Sequence, residues 1–112
     1  MKLIIAAQIE VAAERRDAAL SAASPIISSI LLQEGCVRYD WAADCRTSGL
    51  IIVFEEWASQ DALDQHFAGP NFGKMSALLA EIGVKSAAAK KYSIEREGSV
   101  FNADGVPTSK FE

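Results

Sequence analysis

Histidine occurs once in this chain, at position 66, and cysteine only twice, at Cys36 and Cys45. Two cysteines cannot frame a disulfide-stapled domain, and with one histidine they fall short of a zinc cage's four ligands. They read as reduced thiols, with Cys36 a small inward strand residue. Basic charge is also scarce: 11 Lys and Arg against 15 Asp and Glu leave a net charge of −4. That balance gives no electrostatic footprint for nucleic acid, and the pairs Arg15-Arg16 and Lys90-Lys91 read as solvated faces. Long apolar runs are missing. Met1-Lys2 leads straight into Leu3-Ile4-Ile5, too short for the apolar part of a signal peptide, and no stretch approaches bilayer length. The expected location is the cytoplasm, with no membrane partner. A glycine-rich phosphate loop, a Gly-x-Ser-x-Gly elbow and a metal-ligand cluster are absent too. Any reaction must therefore draw on its substrate's own reactivity.

What the chain does have is apolar material in a regular order. Half of its 112 residues are hydrophobic and 23% are charged, which suits one globular domain. Lys2 to Val11 reads as a strand buried on both faces over most of its length. Glu14 to Gln33 reads as a helix, with Ala18, Ala22, Ile26 or Ile27, Ile30 and Leu31 at helical spacing, a kink at Pro25 and Gly35 as a left-handed stop. Cys36–Ala43 and Leu50–Trp57 form a hairpin of strands. Ser59 caps a short helix through Phe67, Gly69-Pro70 restarts the chain, and a further helix runs from Asn71 to Ile82 with Gly83 as its stop. Ser86 to Glu97 is a last, alanine-weakened strand. Residues 1–97 form the domain, and 98–112 read as an extended C-terminal arm.

This order predicts an α+β fold of ferredoxin-like βαββαβ topology, an antiparallel sheet with both helices on one face. The uncovered face is expected to be apolar. Leu50, Ile52 and Phe54 alternate with Ile51, Val53 and Trp57, and Leu3, Ile5 and Ala7 with Ile4 and Ala6. A monomer rarely leaves such a patch in water. At about 25 cal/mol per Å² of apolar area, covering it is worth many kcal/mol. The expected cover is a second copy, giving a homodimer through sheet faces and a dimeric α/β barrel.

Chemistry-bearing residues gather near His66, which sits one helical turn beyond Leu63 and beside Phe67. A lone histidine there is commonly a packed structural residue; a catalytic one needs a cleft and a partner. Strand alternation turns one of Glu55 and Glu56 away from solvent, and a buried glutamate demands a hydrogen-bond partner. A Glu–His pair is therefore expected. Tyr39 and Trp41 share a strand face and Trp57 ends the next strand, with Phe54, Phe67, Phe72 and Tyr92 as possible neighbours. Aromatics with polar tips suit a pocket for a flat, hydroxylated ligand.

The segments Glu34-Gly35-Cys36-Val37-Arg38-Tyr39-Asp40, Phe54-Glu55-Glu56-Trp57, Ala62-Leu63-Asp64-Gln65-His66 and Asn71-Phe72 together resemble the antibiotic-biosynthesis monooxygenase family, over residues 1–97. That family includes quinol and anthrone monooxygenases and the autoinducer-2-processing enzyme. The resemblance implies a dimer of ferredoxin-like subunits and oxygenation with no metal or flavin cofactor. A hydroxylated aromatic loses a proton, its anion passes an electron to O2, and the radical pair recombines. His66 matches the family's recurrent helix histidine, the implied base or hydrogen-bond donor; Tyr39 and Trp57 match aromatic positions that would hold the ring, and from the strand reading Glu55 is the carboxylate chosen beside His66, with Glu56 the alternative. Trp41, Phe72 and Asn71 complete the expected substrate-binding set, Asn71 standing where many relatives carry a second histidine. The Asn, Trp and His of haem-degrading cousins fall on Ala7, His66 and Ser76, which leaves no iron ligand. The expected function is a cofactor-independent monooxygenase of a small quinol- or anthrone-like substrate. The alternatives are an isomerase enolising a small hydroxycarbonyl compound with the same histidine, and a non-catalytic dimeric binding protein.

Overall fold

A computed structural model describes residues 1–111. The chain runs β1 (Lys2–Val11), a 3₁₀ turn (Ala13–Arg15), α1 (Arg16–Ile30), β2 (Cys36–Ala43), β3 (Leu50–Trp57), α2 (Gln60–Ala68), α3 (Pro70–Ile82) and β4 (Val84–Ile94). The strands make one antiparallel sheet in the order β2-β3-β1-β4. This is the ferredoxin-like α+β arrangement, with the second helical segment divided at Gly69-Pro70. The sheet is open, so β2 and β4 are its edges. Among the described residues no helix is long and apolar enough to cross a membrane.

Local chemistry explains the elements. Ser59 accepts a hydrogen bond from the Ala62 N–H at 3.1 Å and so caps α2. Pro70 opens α3, where its missing N–H costs nothing, and Gly83 ends it at φ +88°. Pro25 lies within a single α1. That helix is shorter than its periodicity suggests. It begins at Arg16, whose guanidinium is held by the Thr47 and Asp44 carbonyls at 2.9 and 3.2 Å, and after Ile30 the chain tightens into three-residue turns. The last strand is displaced as well. It starts at Val84, directly after Gly83, and ends at Ile94. The arm is not extended throughout, because Asn102 accepts from the Asp104 and Val106 N–H groups at 2.9 Å and closes a turn in which Phe101 bridges Pro107. Glu112, its expected last residue, lies outside the described residues.

β3 alternates strictly: Ile51, Val53, Glu55 and Trp57 are buried, while Leu50, Ile52, Phe54 and Glu56 are half-buried. The inner row packs beneath the helices with Ile30, Leu63 and Met75 at one end, and with Val11, Ala19 and Ile82 at the other. The outer face is more mixed than expected. Register sets Ile4 against Glu56, Ala6 against Phe54 and Gln8 against Ile52, with Asp40 beyond Phe54. The Ile and Val of the apolar run are divided between faces by the period of two, so Ile4, Leu50, Ile52 and Phe54 lie outside as large apolar groups, with Tyr92 and Ile94 of β4 on the same face. β4 is exposed along nearly its whole length, and Lys85, Lys90 and Lys91 protect that edge from pairing with other chains.

Gly35 joins α1 to β2 at φ +81°, and a Cβ there would run into the Ala62 side chain. Gly35→Ala meets both the left-handed penalty and that clash, so it should lower stability by about 2 kcal/mol or more in urea unfolding.

Candidate functional site

The inner sheet row and α2–α3 border an open cleft of about 400 Å³. Tyr39, Trp41, Val53 and Glu55 form its floor, Phe67, Phe72, Met75 and Ser76 its helix side, and Ala87 to Ala89 of β4 its flank. Register makes this floor. Tyr39 stands opposite Glu55, and Trp41 opposite Val53, so two aromatics and one carboxyl converge on one face. Phe67 and Phe72 meet edge to face at 5.1 Å and are half exposed, forming the rim. A cavity of this size fits a small ring system, and its walls are apolar apart from a few polar groups.

Glu55 is the carboxyl that turns inward, at 8% exposure; Glu56 turns out to meet Lys2 at 2.8 Å. The Trp57 indole N–H donates to Glu55 Oε1 at 3.0 Å, whereas Oε2 has no hydrogen-bond partner among the described residues. Burial holds the Glu55 carboxyl above the usual range, with the Trp57 bond pulling the other way. One buried carboxyl with an unpaired oxygen and a raised pKa, beside an apolar cleft, has the chemistry to accept a proton.

His66 is also buried, at 2% exposure, but it is not among the residues that line the cavity. The expected Glu55–His66 pair does not form because Trp57 stands between them. Its ring lies on the imidazole at 4.7 Å and 32° while its N–H is given to Glu55. The partner of His66 is Gln33, a residue that no sequence pattern singled out. Gln33 Oε1 accepts from the Asn71 amide at 3.0 Å, and its Nε2 lies 3.1 Å from His66 Nδ1. Gln33 Oε1 lies 3.2 Å from the same Nδ1, so that ring nitrogen accepts from the amide nitrogen or donates to the amide oxygen according to its tautomer. Burial lowers the His66 pKa, which agrees with a neutral ring. Gln33 thus ties the end of α1 to α2 and α3, and through the stacked Trp57 it fixes the base of Glu55.

The expected site residues therefore divide. Tyr39, Trp41, Phe72 and Glu55 line the cavity; Trp57, His66 and Asn71 support it from behind. Phe54 and Tyr92 lie on the other sheet face, in a depression with Ala6, Gln8, Ile52 and Lys90. Met75 and Ser76 line the cavity and were not expected to; the helical period that sets Met75 on one face with Phe72 could have shown the first. Cys36 has its thiol pushed up to about 11, by burial and then by the Glu55 charge, so it stays protonated. Among the described residues no three His, Cys, Asp or Glu side chains gather to hold a metal ion.

A family model described as "Antibiotic biosynthesis monooxygenase" matches residues 2–78. Solved structures share the fold. A Deinococcus radiodurans protein described as a "putative antibiotic biosynthesis monooxygenase" superposes with a TM-score of 0.81 at 18% identity, over 89% of this chain and 99% of that one. A Mycobacterium tuberculosis protein gives 0.76 at 22% identity, over 88% and 100%. A conserved Methanosarcina mazei protein gives 0.74 at 24%, over 82% and 91%. At these identities the likeness is one of fold. Among curated proteins none matches significantly.

Proposed function

Because the chain belongs to the antibiotic biosynthesis monooxygenase family, we propose that it oxidises a small hydroxylated aromatic, quinol- or anthrone-like, with O2 and no bound cofactor. The observation that carries this reading is the inward Glu55 carboxyl, with one free oxygen in an aromatic-walled cavity of about 400 Å³. Glu55 takes the substrate's hydroxyl proton. The anion passes one electron to O2, and the aryloxyl radical and superoxide combine into a peroxide on a ring carbon. That peroxide regains the proton from Glu55. It then loses water, with the hydrogen on the same carbon, to leave a carbonyl. Trp41 and Phe72 sandwich or edge the ring, and Phe67 with Phe72 limits water entry. His66 acts through Trp57 as a positioning residue.

Oxygen consumption across a panel of quinols, naphthols and anthrones tests the reading. Uptake that depends on one of these and leaves the corresponding quinone supports it. Ligand-dependent stabilisation with no uptake from any of them would favour a binding protein instead.

The working form in this proposal is a homodimer packed through the outer sheet faces. Ile4, Leu50, Ile52 and Phe54 are half-buried there in the single chain, around a depression of about 430 Å³. Ile52→Asp places a charge at the centre of that contact while leaving the inner row untouched. Sedimentation should show wild-type dimer and Ile52→Asp monomer at the same concentration, with helix and strand content unchanged.

A further inference from the structure

The polar end of the cavity carries a second group with no task in the oxygenation scheme. We propose that the Tyr39 hydroxyl is a catalytic oxyanion donor, holding the substrate oxygen as that oxygen gives its proton to Glu55. The inference rests on the monooxygenase reading and adds the residue that stabilises the anion.

Four observations converge. Tyr39 and Glu55 are direct partners in the β2–β3 register, and both line the cavity. Tyr39 is buried at 5% exposure, yet its hydroxyl makes no hydrogen bond among the described residues and is not sealed in by protein atoms. Its ring is fixed, edge-on to Trp57 at 6.5 Å and tilted against His66 at 5.8 Å, so the donor is held before a ligand arrives. Finally, no lysine or arginine lines the cavity, and the Trp41 N–H is enclosed without an acceptor. Tyr39 is the hydroxyl set directly opposite Glu55 in the sheet register, the other hydroxyl of the lining, Ser76, belonging to α3.

The charge balance favours this arrangement. Before proton transfer the pair holds one negative charge, on Glu55. Afterwards it holds one negative charge, on the substrate oxygen, with Glu55 neutral. A low-dielectric cavity tolerates that exchange far better than the creation of a new charge. Tyr39 itself stays protonated, because burial and then the Glu55 charge raise its pKa, with the neighbouring Trp41 side chain pulling the other way. One substrate oxygen can donate to Glu55 Oε2 and accept from Tyr39 at the same time. The ligand class follows: an uncharged phenol or quinol, with carboxylate-bearing aromatics repelled by Glu55 and given no cation.

The test uses the full chain under argon with para-nitrophenol as probe, whose phenolate absorbs visible light, followed by turnover with whichever quinol the oxygen assay identifies. Tyr39→Phe keeps the ring and removes an oxygen with no protein partner, so its melting temperature should lie within a few degrees of wild type. The bound probe should titrate about one pH unit higher in Tyr39→Phe, a tenfold loss of phenolate preference. Turnover should fall about 10²-fold in kcat with KM within about threefold. Fluorotyrosine in place of tyrosine, a stronger donor, should move the bound probe's titration the other way. Equal titration in wild type and Tyr39→Phe overturns the proposal, as does a rise in KM with kcat unchanged, or failure of the wild type to bind the probe. A Tyr39-dependent shift with no oxygen uptake from any hydroxylated aromatic would uphold the oxyanion donor and sink the oxygenation reading. Uptake indifferent to Tyr39 would do the reverse.

Discussion

Glu55→Gln should lower kcat by about 10²–10⁴-fold, the usual weight of a positioned general base, while making the folded protein more stable at neutral pH. The two effects have one cause. Glu55 is buried and lines the cavity, its Oε1 is satisfied by Trp57, and its Oε2 is without a partner among the described residues. Burial raises its pKa in the folded state. The folded protein therefore holds this proton more tightly than the unfolded chain does. The stabilisation from the protonated group is complete below the ordinary carboxylate range and is lost as pH rises toward and through the raised value. Stability in wild type should thus decline over that window, and Glu55→Gln, which cannot ionise, should flatten the decline. Activity runs in the opposite sense, since only the ionised group accepts a proton. In wild type kcat should climb with pH through the raised value, and in Glu55→Gln the remaining rate should lose that limb. Urea unfolding and initial rates, measured across the same pH series, check both halves.

Trp57→Ala should be the most damaging substitution for the fold. Trp57 is fully buried at the end of β3, and truncating a buried tryptophan costs about 3–5 kcal/mol. The loss reaches the site as well, because the same ring lies on His66 at 4.7 Å and donates to Glu55 at 3.0 Å. Trp57→Phe separates the two roles. It keeps an aromatic against the imidazole and removes the N–H, leaving Glu55 Oε1 unpaired at a cost of about 1–3 kcal/mol. That bond is what lowers the Glu55 pKa against burial. Without it the pKa rises further, and the rising limb of the pH–kcat profile should move to higher pH. A Trp57→Phe enzyme with reduced stability and an unmoved profile would show that the indole only fills space.

The fold was legible because its signals were local and mutually consistent. Ser59, Gly69-Pro70, Gly83 and the two-residue period of Leu50–Trp57 each act within a few residues, and they mark the elements found. The ends of α1 and β4 were less legible. Arg16 is anchored by carbonyls of a loop nearly thirty residues away, and no window of α1 reveals that. The site divides along the same line. Parity alone turns either Glu55 or Glu56 inward, and the presence of Trp57 on the same parity as Glu55 carries that pair together. The Glu55–His66 partnership failed because adjacency in the motif does not say which ring lies between two side chains. Trp57 does. Gln33 was invisible for a related reason: an amide at a helix end has no pattern until α2 and α3 bring His66 and Asn71 to it. The outer sheet face was read as more apolar than it is because the parity of β3 and β1 says nothing of their cross-strand neighbours, and register sets Glu56, Gln8 and Asp40 beside Ile4, Ile52 and Phe54.

The central claim is that O2 attacks an anion made by Glu55 within this cavity. The most direct measurement is turnover under heavy-isotope dioxygen, with the product and the solvent water both analysed by mass. One labelled oxygen atom in the quinone carbonyl and the other in water is the predicted result, with both absent in Glu55→Gln over the same period. Oxidised product without label, or labelled hydrogen peroxide in its place, would contradict the account.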